Sequence, residues 1–154
     1  KIARKQNITT VLNPAPAIEL PKSLLELTDI IIPNETEAEL LTGISINNES
    51  DMKETATYFL DLGISAVLIT LGEQGTYCAY QEQYKMIPAC NVKAIDTTAA
   101  GDTFIGAFLS ELNKDLSNLE SAIRLANQAS SLTVQRKGAQ ASIPTRKEVE
   151  AEYN

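Results

Sequence analysis

Apolar residues in this chain fall into short continuous runs, separated by stretches in which they recur at helical spacing. Thr9–Leu12 is a short β-prone run that closes on Asn13-Pro14-Ala15-Pro16. Asp29-Ile30-Ile31-Ile32-Pro33 and Ile64–Leu71 are apolar throughout rather than alternating, the pattern of strands covered on both faces. Between them, Asn34-Glu35-Thr36-Glu37 opens a helix that runs through Leu40 and Leu41 and stops at Gly43. Asp51–Leu62 predicts another, with Asp51 as cap, Glu54 three residues on and Gly63 at the end. Thr76–Tyr80 and Tyr84–Val92 predict further strands around a turn near Gln81–Gln83. Thr103–Leu112 is helical, with Phe104, Phe108 and Leu112 on one stripe. Ser117 and Glu120 have the spacing of a capping box for a helix carrying Ala122, Ile123, Ala126, Ala129 and Ser130, small enough for close packing. A loop with Gly138 and Pro144 precedes a short polar helix ending near Tyr153. Strands alternating with helices predict an α/β fold with a largely parallel sheet.

In such folds ligands collect at the carboxyl ends of the strands. Asn34–Glu37, Thr70–Gly75 and Thr98–Asp102 all fall at strand-to-helix turns of that kind, so one rim is expected to gather them. Composition narrows the chemistry. The length of 154 residues suits one ordinary domain with a real core, and the net charge of −7 excludes a nucleic-acid surface. There is no apolar run long enough for a membrane span, no secretory pattern, and the first residue is Lys rather than Met, as at a cut end. Cys78 and Cys90 match no metal-site spacing and are expected as reduced thiols of a cytoplasmic protein. Without a single histidine, Ser-His-Asp and Cys-His catalysis are excluded, leaving proton transfer to carboxylates, Lys or Tyr.

The segment Asp96-Thr97-Thr98-Ala99-Ala100-Gly101-Asp102-Thr103-Phe104 concentrates that chemistry. A helix start offers bare amides and roughly half a positive charge, a place for an anion. Asp102 at the same spot suits a base beside a phosphate; a tight turn with an acidic first helical turn explains the same residues without function. Asn34 and Glu37 have capping-box spacing, or else Glu37 orients a metal-bound water with Asn34 near a phosphate. Thr70-Leu71-Gly72-Glu73-Gln74-Gly75 is either a connection using the freedom of glycine or a backbone loop under a nucleotide. It lacks the Gly-Lys-Ser/Thr of a Walker loop. Arg136 and Lys137 are an ordinary solvated pair on a surface loop, and Ala122, Ala126 and Ala129 are an ordinary packing stripe. Tyr77, Tyr80 and Tyr84 pack or line a sheet edge.

Taken together, Asp96–Asp102 followed by Gly106-Ala107-Phe108-Leu109 resembles the C-terminal signature of the PfkB carbohydrate kinase family. Asn13–Pro16, Pro33–Glu37, Ile69–Gly72 and Arg136–Pro144 resemble strings of its ribose-phosphorylating branch, in the same order along essentially the whole chain. The resemblance implies a three-layer α/β/α fold, of which residues 1–154 are the C-terminal, nucleotide-binding and catalytic part. It implies ATP-dependent phosphorylation of D-ribose at O5. Asp102 is then the base and sole remaining sugar contact, and the amides of Ala99, Ala100, Gly101 and Asp102 form the anion hole. Asn34 and Glu37 serve the phosphates and Mg²⁺; Thr70, Leu71, Gly72, Glu73, Gln74 and Gly75 line the nucleotide; Asn127 lies near adenine. A potassium ion is implied at the Asp96 carboxylate, the Ser142 hydroxyl and backbone oxygens of Thr98, Thr133, Arg136 and Gly138. The family's sugar-binding half and its small β lid, through which the parent protein is expected to dimerise, do not match any part of this chain. The isolated chain is therefore expected to be inactive and to associate through exposed apolar surface. Two alternatives stay open: a non-catalytic nucleotide-binding fragment, and a family kinase for another sugar or a nucleoside.

Overall fold

A computed structural model describes residues 1–153. The chain divides into two compact units, one made of Lys1–Leu71 with Thr76–Met86, the other of Gly72–Gly75 with the chain from Ile87 onward. The first unit is built on a five-stranded sheet in the order β1-β2-β3-β4-β5: Val11–Leu12, Ile30–Ile31, Ala66–Thr70, Thr76–Tyr80 and Gln83–Ile87. β1, β2 and β3 run parallel, with Val11 opposite Ile30 and Ile30 opposite Ala66. β3 and β4 are antiparallel, Ala66 opposite Tyr80. The sheet is thus mixed rather than largely parallel, because the short connection from Thr70 to Thr76 leaves no room for the crossover that a parallel neighbour needs.

β3 is where the apolar run is longest, and Ala66, Val67, Leu68 and Ile69 are all fully buried. The two-residue period of a strand sends Val67 and Ile69 into a core shared with Ile31, Met52, Ala56, Phe59, Tyr77 and Ala79. Met52, Ala56 and Phe59 come from α4 (Glu49–Asp61), which packs on β3 and β4. The cap of α4 lies three residues before the predicted one. Asn48 accepts from the Asp51 amide at 3.2 Å, while the Asp51 carboxylate turns back to the Asn47 amide at 2.8 Å. Asp51 therefore occupies the third helical position, and an Asn three residues upstream takes the cap. Two single-turn helices, α1 (Ile2–Lys5) and α2 (Lys22–Leu25), have no periodic signal in the sequence because four residues are too few to show one.

Two buried hydroxyls of this unit, Thr55 Oγ1 on α4 and Tyr77 Oη on β4, have no hydrogen-bond partner among the described residues. A buried donor without a partner costs about 1–3 kcal/mol. Thr55→Val and Tyr77→Phe should each raise stability by about 1 kcal/mol in denaturant melts, since both keep the packing and remove only the orphaned oxygen. Loss of stability in either variant would point to a partner for that hydroxyl.

The second unit contains the helices α5 (Ala100–Glu111), α6 (Leu119–Thr133) and α7 (Arg146–Tyr153). α5 and α6 pack along each other, and α7 docks on α6. Phe104 and Phe108 stack at 6.3 Å between centroids, one helical turn apart, as the predicted stripe requires, whereas its third member, Leu112, is the extended C-cap beyond the helix. The small stripe on α6 is buried at Ala122, Ala126 and Ala129. Ala129, Leu132 and Val149 form a second core that joins α6 to α7. The predicted Ser117–Glu120 box does not form. Asn118 ties the loop instead, accepting from the Asn113 amide and donating to the Glu111 carbonyl, both at 2.7 Å, and Glu120 pairs with Arg124. Cys78 is buried and Cys90 half-buried, and neither forms a disulfide among the described residues. Among the described residues no helix is long and apolar enough to cross a membrane.

Candidate functional site

The first unit contributes a local constellation at the ends of β2 and β3. Asn34 caps α3 (Glu35–Thr42) through a complete capping box: Asn34 Oδ1 accepts from the Glu37 amide at 2.9 Å, and Glu37 Oε2 accepts from the Asn34 amide at 2.8 Å. The spacing read from sequence is therefore realised as a cap, with Asn34 exposed and Glu37 buried. Thr70 extends the strand pairing beyond β2. Its amide donates to the Pro33 carbonyl at 2.9 Å, and Asn34 pairs with Thr70 in a parallel bridge. Asn34, Glu37 and Thr70 are thus brought together, and Leu71 follows as a buried anchor.

In the second unit, Gly72–Gln74 form a single 3₁₀ turn whose residues are exposed, while Gly75 is buried. Gly75 has a φ of 111°, and a Cβ there would run into the Ile87 carbonyl and lie 2.6 Å from the Ala89 nitrogen. Only glycine allows the backbone to approach that segment. The same segment is held from α6: the buried Asn127 donates its Nδ2 to the carbonyls of Ile87 and Pro88, each at 3.1 Å. Asn127, expected near a base, is committed on this side to backbone, and so stabilises the stretch on which Gly75 rests.

In the turn before α5 the bend is made by an alanine and not by the glycine. Ala99 is the N-cap and has a φ of 63°, whereas Gly101 is helical and a Cβ on it would meet no atom within 4 Å. A left-handed alanine costs about 1–2 kcal/mol, so the surrounding bonds must hold it there. The Ala100 amide donates to the Thr97 carbonyl at 3.2 Å and the Thr103 amide to the Ala99 carbonyl at 2.9 Å. The amides of Ala99, Gly101 and Asp102 donate to nothing among the described residues. The Asp102 carboxylate is exposed on the first turn, and among the described residues it has no hydrogen bond or ion pair. Free amides, a helix N-terminus and an uncommitted carboxylate therefore share one turn, which can take an anion and a proton side by side.

Behind this turn, Asp96 joins two loops. Its Oδ1 accepts from the Thr98 amide and its Oδ2 from the Gly138 amide, both at 3.0 Å. The Ile95 and Asp96 amides in turn donate to the Val134 carbonyl at 2.7 and 3.1 Å. The Gly138 amide first, and Thr98 second, hold the Asp96 carboxyl at about 2, below its ordinary 3.8. A depressed carboxyl stabilises the tie above its unfolded value and releases it as pH falls through the folded one. The Gly138 amide resonance should therefore shift with a midpoint near the folded value of about 2. A midpoint in the ordinary carboxylate range would mean the tie is absent in solution.

Ser142 is buried and donates to the Ala139 carbonyl at 2.6 Å, and the Thr133 carbonyl accepts from the Arg136 amide at 3.0 Å. The Arg136 side chain pairs with Glu148 at 2.8 Å, so the solvated pair expected with Lys137 is in fact tied to α7. Two groups at this turn left no usable mark in the sequence. Ser130 Oγ donates to the Ala100 carbonyl at 2.9 Å, and the buried Thr133 hydroxyl lies 3.0 Å from Thr103 Oγ1. Both bonds span thirty residues, and hydroxyls three apart on a helix are too common to single out.

A family model described as pfkB family carbohydrate kinase matches residues 1–146. The chain is 64% identical over 149 residues to a ribokinase of Staphylococcus aureus, covering 97% of this chain and 49% of that protein. It is 48% identical to a ribokinase of Haemophilus influenzae, covering 96% of this chain and 48% of that protein. Among solved structures, an Arabidopsis thaliana ribokinase complexed with ribose and ATP superposes with a TM-score of 0.88 at 33% identity, over 96% of this chain and 48% of that one. The chain spans about half the length of the curated relatives it matches. From Asn34 to Ser142 the candidate residues lie within the reach of the matched family model, and the chain belongs to the pfkB family of carbohydrate kinases.

Proposed function

We propose that the complete protein phosphorylates D-ribose at O5 with ATP, and that this chain supplies its nucleotide side, anion hole and catalytic base. The observation that carries the reading is the start of α5: three amides with no acceptor among the described residues, beside an exposed Asp102 that has no partner among them. Asp102 takes the proton of the attacking hydroxyl. The amides of Ala99, Gly101 and Asp102, with Ala100 in the same turn, receive the transferring phosphoryl group. Phosphoryl transfer asks little covalent work of a protein, so positioning and charge stabilisation carry most of the catalysis. Ribose is favoured by two similar relatives that are ribokinases, and by a structural neighbour complexed with ribose and ATP.

Thr70–Gly75 would line the nucleotide through backbone, with Gly75 fixing the loop and Asn127 acting through Ile87 and Pro88. Glu37 and Asn34 would serve the phosphates and Mg²⁺. The buried Glu37 shares one oxygen with the Asn34 amide, and one carboxylate with substrate phosphates suits that ion. The donor set that the family resemblance implies is all oxygen: the Asp96 carboxylate, the Ser142 hydroxyl and the carbonyls of Thr98, Thr133, Arg136 and Gly138. It fits a weakly hydrated monovalent cation such as K⁺, whose charge would support the shape of the turn above. A cytoplasmic homodimer is the state this reading expects of the complete protein.

The test is ADP release by the complete protein with ribose, fructose and adenosine as alternative acceptors. A clear preference for ribose is expected, and preference for another acceptor would overturn the substrate. Gly101→Ala tests the anion hole. Gly101 is helical and sterically unconstrained, so alanine should stabilise the fold by about 0.5–1 kcal/mol. It should nonetheless lower kcat by about tenfold, the equivalent of 1.4 kcal/mol, by placing a methyl on the amide face. Unchanged kcat in a stabilised variant would remove the phosphoryl group from this turn.

A further inference from the structure

We propose that Ser130 is a positioning residue that sharpens the anion hole from behind, through the peptide between Ala100 and Gly101; this rests on the reading of that turn given above. Ser130 is half-buried on α6, and its hydroxyl donates to the Ala100 carbonyl at 2.9 Å. That carbonyl and the Gly101 N–H belong to the same peptide unit. A donor on the oxygen draws electron density across the amide and makes its N–H a better donor in turn, by roughly 10–30% per bond in a chain of hydrogen bonds. The Gly101 N–H is one of the amides with no acceptor among the described residues, so the relay ends at an open donor.

Two further contacts from the same end of α6 keep the geometry. Thr133 reaches Thr103 Oγ1 at 3.0 Å, immediately after Asp102, and the Val134 carbonyl takes the Ile95 and Asp96 amides. The end of α6 thus grips the catalytic turn on both sides. Between the two grips, the left-handed Ala99 is held in a conformation it would not otherwise keep. Ser130 never touches the reacting atoms. Its effect appears where negative charge grows on the phosphoryl oxygens, and ground-state nucleotide binding should barely register it.

The experiment compares the complete protein with Ser130→Ala and Ser130→Thr. Ser130→Ala should lower kcat by about 3–10-fold and leave the Kd for ADP within twofold. The affinity for ADP with aluminium fluoride and sugar, which mimics the phosphoryl group in flight, should fall by the same factor as kcat. The ¹⁵N resonance of Gly101 should move upfield in Ser130→Ala and return in Ser130→Thr. Equal losses of ADP and fluoroaluminate affinity, or an unmoved Gly101 resonance, would overturn the relay. The control is Asp102→Asn. If that variant keeps its turnover, the reading of the turn fails even though the Gly101 resonance still responds to Ser130. If it loses turnover while Ser130→Ala does not, the relay alone fails.

Discussion

Asp102→Asn should cut the turnover of the complete protein by about 10²–10⁴-fold, the usual contribution of a general base. Asparagine keeps the shape of the side chain and removes its basicity, so geometry and proton transfer are separated. The side chain is exposed and has no partner among the described residues, so no packed or hydrogen-bonded group is lost with its charge. The one stabilising interaction removed is that of a carboxylate with the helix N-terminus, worth about 0.3–1 kcal/mol. Nucleotide binding should move the other way. Asp102 places a negative charge where the proposed reading seats a phosphate, so its neutralisation should leave the affinity for ATP equal or somewhat higher. Steady-state kinetics and calorimetry on one preparation read both quantities. Turnover within a few-fold of the parent would mean that the base is elsewhere; reduced ATP affinity would mean that Asp102 assists binding.

Gly75→Ala should be the most damaging single methyl in the Thr70–Gly75 loop. Its cost has two sources that act together. A φ of 111° is left to glycine, and the added Cβ would collide with the Ile87 carbonyl, lie 2.6 Å from Ala89 N and 2.7 Å from Pro88 C. All three are backbone atoms, so no side chain can swing away. Overpacking of this kind costs about 1–3 kcal/mol, and the backbone conformation adds about 1. The segment cannot readily retreat, because Asn127 holds the Ile87 and Pro88 carbonyls from α6. We expect a stability loss of about 2–4 kcal/mol in denaturant melts, with a raised KM for ATP in the surviving folded protein. Gly72→Ala is the contrast, since a Cβ there meets nothing within 4 Å and only the φ of 54° resists it. Equal losses in the two variants would show that backbone conformation, and not the close approach at Gly75, sets the cost.

Local order was legible where the chain acts over three or four residues. The Asn34–Glu37 box, the buried run of β3 and the Phe104–Phe108 stripe all follow from spacing, because cap, strand and helix face are each decided by neighbours in sequence. The family signature was legible too, and a family model matches residues 1–146. Reading failed wherever two local solutions competed. At α4 both Asn48 and Asp51 can cap, and at α6 Asn118 is drawn away to the end of α5, which dissolves the Ser117–Glu120 box.

The residue types of the candidate site, a carboxylate without any histidine, a run of small residues and a helix start, were determined by the sequence alone. Tertiary structure decided how they are held. It is Ala99 rather than Gly101 that turns the chain, because bonds from Thr97, Thr103 and the end of α6 surround it. It is a carbonyl pair thirty-nine and forty residues away that takes the amide of Asn127. Such contacts join residues far apart in the chain. No periodicity records them, because a hydroxyl or an amide finds its partner only after the helices have packed.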